Sequence, residues 1–267
     1  MRSFALVVPR SEVLDEVAEC VRFGLECLGH SATVRYSEFP SGARPVIFGG
    51  HIIEDFGALP PGAILVNFEP LRDARLSPTY IDALRRFTVW DYSRRNLDWL
   101  RENGGLNAQW LRVGYSPALS RIQPAPQDID VLFYGTPNER RVALLKDLIA
   151  AGLKVIAFNS LFGARRDEMI ARAKVVLNLH FYAQRVFEIA RVSYLLANRK
   201  AVVSEVGPDT EIEDDLRGAV CGSPYEGLVD ACREIVADAD KRAELERRGF
   251  GIFSARDQAA FLRDLIG

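Results

Sequence analysis

The chain has 267 residues, 48% of them hydrophobic and 26% charged, which is ordinary globular composition and a length for about two domains. Its formal net charge of −2 is too small to imply an acidic or basic partner; bulk electrostatics leave only a local basic patch open, and no nucleic-acid partner is expected. Four cysteines (Cys20, Cys27, Cys221, Cys232) lack CxxC spacing and clustered histidines, so neither a zinc site nor a disulfide framework is suggested.

The opening "FALVVP" reads as a strand and is too short an apolar run for a signal peptide. No stretch approaches the ~20 apolar residues that span a bilayer, so a cytoplasmic chain is expected, compatible with peripheral membrane contact. "SEVLDEVAECVRFGLECLG" follows as a helix, with Ser11 as N-cap and Gly29 as C-cap. "SATVRY", "RPVIFGG" and "AILVNFEP" are strands. "SPTYIDALRRF" opens a helix capped by Ser77 with Pro78 at its first position. A strand in "FTVWDYS", a helix in "RRNLDWLREN" ended by Gly104 and Gly105, and a strand in "NAQWLRVGY" complete the first half.

Residues 116–130, "SPALSRIQPAPQDID", hold three prolines and no periodicity, and form the best linker in the chain. A second series begins after it: strand "VLFYG", helix "NERRVALLKDLIAAG", strand "KVIAFN", helix "RRDEMIARA", strand "KVVLNLHF", helix "RVFEIARVSYLLAN" and strand "KAVVSE". The end of the chain, residues 223–267, reads as helices. Strands alternating with helices imply parallel sheets. The expected fold class is α/β, two Rossmann-like lobes with parallel sheets facing a cleft, residues 1–120 and 121–267. Such sheets bind ligands outside the carboxyl ends of their strands, so polar residues there carry functional weight.

One junction concentrates them. His180 falls near the end of "KVVLNLHF", and the helix that follows is apolar except along one stripe. At ~100° per residue, Arg185, Glu188 and Arg191 share an arc of roughly 120°. A solvated face with i,i+3 ion pairs is the plainer reading of such a stripe. The apolar remainder of the helix, and its start at a strand's carboxyl end where helix N-termini attract anions, favour a cleft instead. Arg185 then pairs with phosphate, and Glu188 accepts hydrogen bonds from a ribose diol. The turn in "DVLFYGTPNERRVALL" occupies the matching place after the linker. Gly135 lets backbone approach a ligand, and Thr136 and Asn138 supply polar groups and caps ahead of Arg141. There is no GxGxxG and no Walker lysine.

"VLFYGTPNERR", "LNLHFYAQRVFEIARVSYLLANRKAVVSE" and, more thinly, "VWDYSRRN" resemble segments of small bacterial and viral glycosyltransferases with a GT-B-like fold, related to the group 1 and spore-maturation-type glycosyltransferase-like proteins. The resemblance is strongest over residues 131–205. It implies a nucleotide-sugar donor on the second lobe, used as substrate without an essential metal or other cofactor. It implies an acceptor hydroxyl (glycan, lipid-linked sugar, protein or small molecule) on the first lobe. Glu188 would hold the ribose; Gly135, Asn138 and Arg185 would surround the diphosphate. Arg141 or Arg185 would stabilise the leaving group. Many retaining members carry a second glutamate eight positions on, where this chain has Leu196. That departure and the short chain favour an alternative, a catalytically silent nucleotide- or sugar-binding module or scaffold of the same fold. An oxidoreductase is poorly supported, because the dinucleotide glycine fingerprint is missing.

Catalytic candidates lie in the first half. His51 follows "VIFGG" at a strand end and Glu69 ends "VNFE"; either suits a base that activates an acceptor hydroxyl. Asp91 or Ser93 is read as a cap for the next helix, and His30 as a loop residue. The acidic run "TEIEDDL" is read as a loop or a solvated helix cap rather than a metal site.

Overall fold

The structure, a computed structural model, describes residues 1–267 except 9–13, 37–38, 61, 74–75, 106 and 184. Contacts divide it into two units, Met1–Ser116 with Asp257–Gly267, and Pro117–Arg256. The first contains β1 (Ser3–Val8), α1 (Asp15–Cys27), β2 (Ser31–Tyr36), β3 (Arg44–Phe48), β4 (Ile64–Asn67), α2 (Pro78–Arg86), β5 (Thr88–Asp91), α3 (Arg94–Glu102) and β6 (Ala108–Trp110). Among the described residues its strands form one parallel sheet in the order β2-β1-β3-β4-β5-β6.

Local chemistry sets these elements. Every residue of β4 is buried, as expected of a near-continuous apolar run in a sheet covered on both faces. Ser77 Oγ accepts from the Tyr80 N–H at 3.1 Å with Pro78 in the first helical turn, and Ser93 caps α3 through the Asn96 N–H at 3.2 Å. Gly29, at φ +79, closes α1: its N–H reaches the Glu26 carbonyl and the His30 N–H reaches that of Leu25. The expected cap at Ser11 lies outside the described residues. Leu65, Tyr80, Leu84, Val89 and Leu100 are central to the apolar core on one side of the sheet.

The second unit runs β7 (Ile129–Tyr134), α4 (Glu139–Ala150), β8 (Val155–Phe158), α5 (Gly163–Arg172), β9 (Ala173–Asn178), α6 (Ile189–Ala197), β10 (Ala201–Glu205), α7 (Asp214–Arg217), β11 (Cys221–Ser223), α8 (Leu228–Ala237) and α9 (Ala239–Ser254). Its described strands are all parallel, ordered β11-β10-β9-β7-β8. The chain leaves β7 for β8 and then returns past β7 to β9. Strand order therefore reverses between β7 and β9, the place where parallel α/β sheets open a crevice at their carboxyl ends.

The structure differs from the sequence reading in three places. The helix expected from Arg185 begins at Ile189. Residues 185–187 are held away from helix by backbone bonds to a distant segment, Phe187 N–H to the Glu211 carbonyl at 2.9 Å and Glu211 N–H to the Arg185 carbonyl at 3.0 Å. Ahead of the C-terminal helices, in a stretch where the sequence reading places no strand, Cys221–Ser223 adds a short edge strand to β10. Finally, α10 (Gln258–Ile266) belongs with the first unit, so a second lobe of 121–267 does not describe the last residues. It packs on α1 at Gly24, where a Cβ would lie 2.7 Å from Leu262 Cδ1 and 2.8 Å from Gln258 Cγ.

Candidate functional site

At the reversal between β7 and β9, four of the expected residues meet. Arg141, in the first turn of α4, is 2% exposed. Its guanidinium donates to the Thr136 carbonyl at 2.8 Å, to the Leu179 carbonyl, and to Glu188 Oε1 at 3.1 Å. Burial pushes its pKa down and the Glu188 carboxylate opposes this. Arg191, in the first turn of α6, donates to the other Glu188 oxygen and to Asn178 Oδ1 at 2.9 Å, with its guanidinium 5.4 Å from the Tyr134 ring. Glu188 thus bridges two guanidinium groups while its side chain stays 24% exposed. Gly135 closes the group. A Cβ built on it would lie 3.1 Å from Arg191 Nη2 and 3.3 Å from Arg141 Nη1, so only a bare backbone fits beside the two cations.

The turn between β7 and α4 is fixed by its own polar residues. Asn138 Oδ1 caps α4 through the Arg141 N–H at 2.8 Å, and its Nδ2 reaches the Phe181 carbonyl at 3.4 Å. Thr136 contributes its carbonyl. Phe181 is 39% exposed with the Arg141 guanidinium 5.1 Å from its ring.

His180 sits one strand over and is 3% exposed. Its N–H donates to Glu205 Oε2 at 3.3 Å, and its Nε2 lies 3.5 Å from Thr210 Oγ1. Burial lowers its pKa, against the raising influence of Glu188 and Glu205. Glu205, the last residue of β10, takes a two-pronged pair from Arg140, which stacks 3.9 Å over the Tyr225 ring. The Arg140–Glu205 pair was missed from sequence, although Glu205 ends an apolar strand as Glu69 does.

Arg185 stands apart. The late start of α6 leaves it at φ +50 outside the helix, paired with Asp209 at 3.2 Å with both side chains largely exposed. Of the expected stripe, only Arg191 is helical, and Glu188 is the residue that precedes the helix. The Glu188–Arg191 contact forms; Arg185 turns instead toward the 207–209 segment.

In the first unit, the strand-end candidates also converge. His51 Nδ1 lies 3.9 Å from Glu69 Oε1, with side chains 36% and 28% exposed, at the carboxyl ends of β3 and β4. The Phe68 and Tyr92 rings stack beside them in sequence, centroids 5.0 Å apart. Asp91 is fully buried and accepts from Ser93, Asn67 and Asn96. The "TEIEDDL" run is tied down by Arg256, which bonds Glu213 at 2.6 Å and also Asp215. Among the described residues, no group of three or more His, Cys, Asp or Glu could hold a metal ion, and no helix is long and apolar enough to cross a membrane.

Solved structures match this architecture over nearly its whole length. AviGT4, a glycosyltransferase involved in avilamycin A biosynthesis, matches at TM-score 0.57 and 17% identity, over 98% of this chain and 96% of its own. HepE of Anabaena in complex with UDP and glucose matches at 0.62 and 13%, over 99% and 98%. The T4 phage protein BGT in complex with UDP-glucose matches at 0.59 and 12%, over 99% and 100%. The fold is GT-B. At these identities, the likeness establishes the GT-B architecture and nothing finer. No family model matches the chain. Two uncharacterized proteins of Acanthamoeba polyphaga mimivirus are 25% identical over 190 residues and 26% identical over 181 residues. The matches cover 68% and 66% of this chain but 61% and 63% of those proteins, under two thirds of their length. A third from the same virus is 31% identical over 119 residues, 43% of this chain and 14% of that protein.

Proposed function

We propose that the chain is a glycosyltransferase that moves a sugar from a nucleoside-diphosphate sugar to an acceptor hydroxyl. The observation that carries this reading is the meeting of Arg141, Arg191, Glu188 and Gly135 where the strand order of the second sheet reverses. Two guanidinium groups beside bare backbone suit a diphosphate, whose charge grows as it leaves. A carboxylate has about four acceptor positions, so Glu188 holding two arginines still has capacity for a ribose diol. In the first unit His51 takes the acceptor proton, and the Glu69 carboxylate stabilises the imidazolium. The acceptor oxygen then bonds to the anomeric carbon as the bond from that carbon to the diphosphate breaks. The arginines stand in for a metal in this scheme, so EDTA leaves turnover unchanged; loss of turnover restored by a divalent cation would remove them from that role. That the HepE and BGT structures hold UDP, glucose or UDP-glucose supports a nucleotide-sugar donor here.

The test is a thermal-shift panel of UDP, GDP, ADP, CMP and TDP on the wild type and Glu188→Ala. One nucleotide raises Tm in the wild type and not in the variant. No shift with any of them would overturn the donor site. A second reading, a silent binding module, is favoured by Leu196, a core residue 1% exposed where a second glutamate is otherwise expected. It is the correct one if nucleotide raises Tm while no nucleotide sugar is turned over.

A further inference from the structure

Several buried polar side chains of the first unit spend their hydrogen bonds on one short turn. Asn67, Asp91, Ser93 and Asn96 are 0–1% exposed. The Glu69 carbonyl accepts from Asn67 Nδ2 and from Asn96 Nδ2, each at 2.8 Å, and the Glu69 N–H donates to Asn67 Oδ1 at 3.2 Å. Two residues on, the Leu71 N–H donates to Asn96 Oδ1 at 3.0 Å. Behind the two asparagines stands Asp91, whose carboxylate accepts from Asn67 at 2.7 Å, from Asn96 at 3.0 Å and from the Ser93 N–H at 2.8 Å. Tyr80, fully buried, donates its hydroxyl to Asn67 Oδ1 at 3.0 Å. Burial pushes the Tyr80 pKa up, with Asp91 and Glu69 adding to it, so the hydroxyl keeps its proton.

A buried polar network of this size adds little to stability beyond what an apolar core of equal volume would give, but it specifies one geometry. Here the geometry belongs to the backbone of residues 69–71. The side chain presented by that turn is Glu69, partly exposed and 3.9 Å from His51. We infer that Asn67 and Asn96 are positioning residues. Held by Asp91, they fix the Glu69 backbone on both its N–H and its carbonyl, so that the carboxylate stays beside His51 when the acceptor proton moves. The inference rests on the transferase reading above and extends it to residues that never touch substrate.

The experiment combines amide hydrogen exchange with release of nucleoside diphosphate to water from UDP-glucose, GDP-glucose and ADP-glucose. Asn96→Ala deletes the acceptor of the Leu71 N–H and removes protection from that amide, while β4 and β5 keep theirs. Its kcat falls on the order of 10²-fold with the donor KM unchanged, the size expected when a reacting group shifts by about 1 Å. In a Glu69→Gln background the same substitution lowers kcat by less than about 2-fold, because both act through one carboxylate. If Asn96→Ala does not fold, Tyr80→Phe keeps the packed ring and loosens only Asn67; a smaller loss of kcat with the same dependence on Glu69 is expected. Protection lost with kcat retained, or an equal loss in both backgrounds, makes the network a fold support alone and leaves the transferase reading standing. A wild type that responds to nucleotide but releases none from any sugar donor overturns the transferase reading, and the positioning role with it.

Discussion

Gly135 shows how much a single position decides. At φ +148 it lies where side chains rarely sit, and two cations held by Glu188 fill the space where a Cβ would go. Gly135→Ala should cost about 1–3 kcal/mol for the backbone conformation and displace the arginines as well. Its Tm should fall by several degrees and its nucleotide response should shrink; an unchanged response would show that the arginines can move aside without consequence. His180 belongs to the same scale. Its pKa in the folded chain is lowered by burial from 6.5, so below that pH the unfolded chain binds a proton that the folded chain refuses. Stability from this residue is intact above about 6.5 and declines as pH falls toward the lowered value. Urea melts at stepped pH should show that decline in the wild type and a flatter profile in His180→Asn. Identical profiles would mean His180 protonates in place.

At the scale of elements, the decisive feature is where α6 begins. The sequence pattern supports a helix from Arg185, and every residue of that segment has acceptable helix propensity. What stops it is a backbone pairing with Glu211, some 25 residues away in sequence, which no local window contains. The consequence is chemical: Glu188 precedes the helix and turns between Arg141 and Arg191, and Arg185 is left near solvent. Helix packing gives a second test. Gly24 in α1 lies against Gln258 and Leu262 of α10. Alanine is normally favoured over glycine inside a helix by about 1 kcal/mol. Here a Cβ would stand 3.1 Å from the Gln258 backbone and closer still to two side chains, so Gly24→Ala should destabilise the protein. Chemical denaturation reads this directly, and a stabilised variant would show that α10 shifts freely on α1.

For the whole molecule, two parallel sheets are legible in the sequence. Apolar runs such as "AILVN" and "VVLNL" are too uniform for a sheet with one wet face, and helices of opposite character separate them. Because parallel strands all point one way, their carboxyl ends could be named too, which is why Gly135, His51 and Glu69 stood out just past strand ends and Arg141 and Glu188 near the starts of the helices that follow. Glu205 and Asn67 end their strands in the same way and Asn96 lies in the first turn of α3; all three were overlooked, since a side chain whose partners come from other elements looks ordinary in its own segment. By itself, the sequence determined what most segments become and which end of each strand carries chemistry, for those follow from periodicity, caps and the direction of the chain. The tertiary structure alone decided strand order, the edge strand at Cys221–Ser223, the return of α10 to the first unit, and which charges meet. Those depend on pairings between residues far apart in the chain, whose geometry no local spacing encodes.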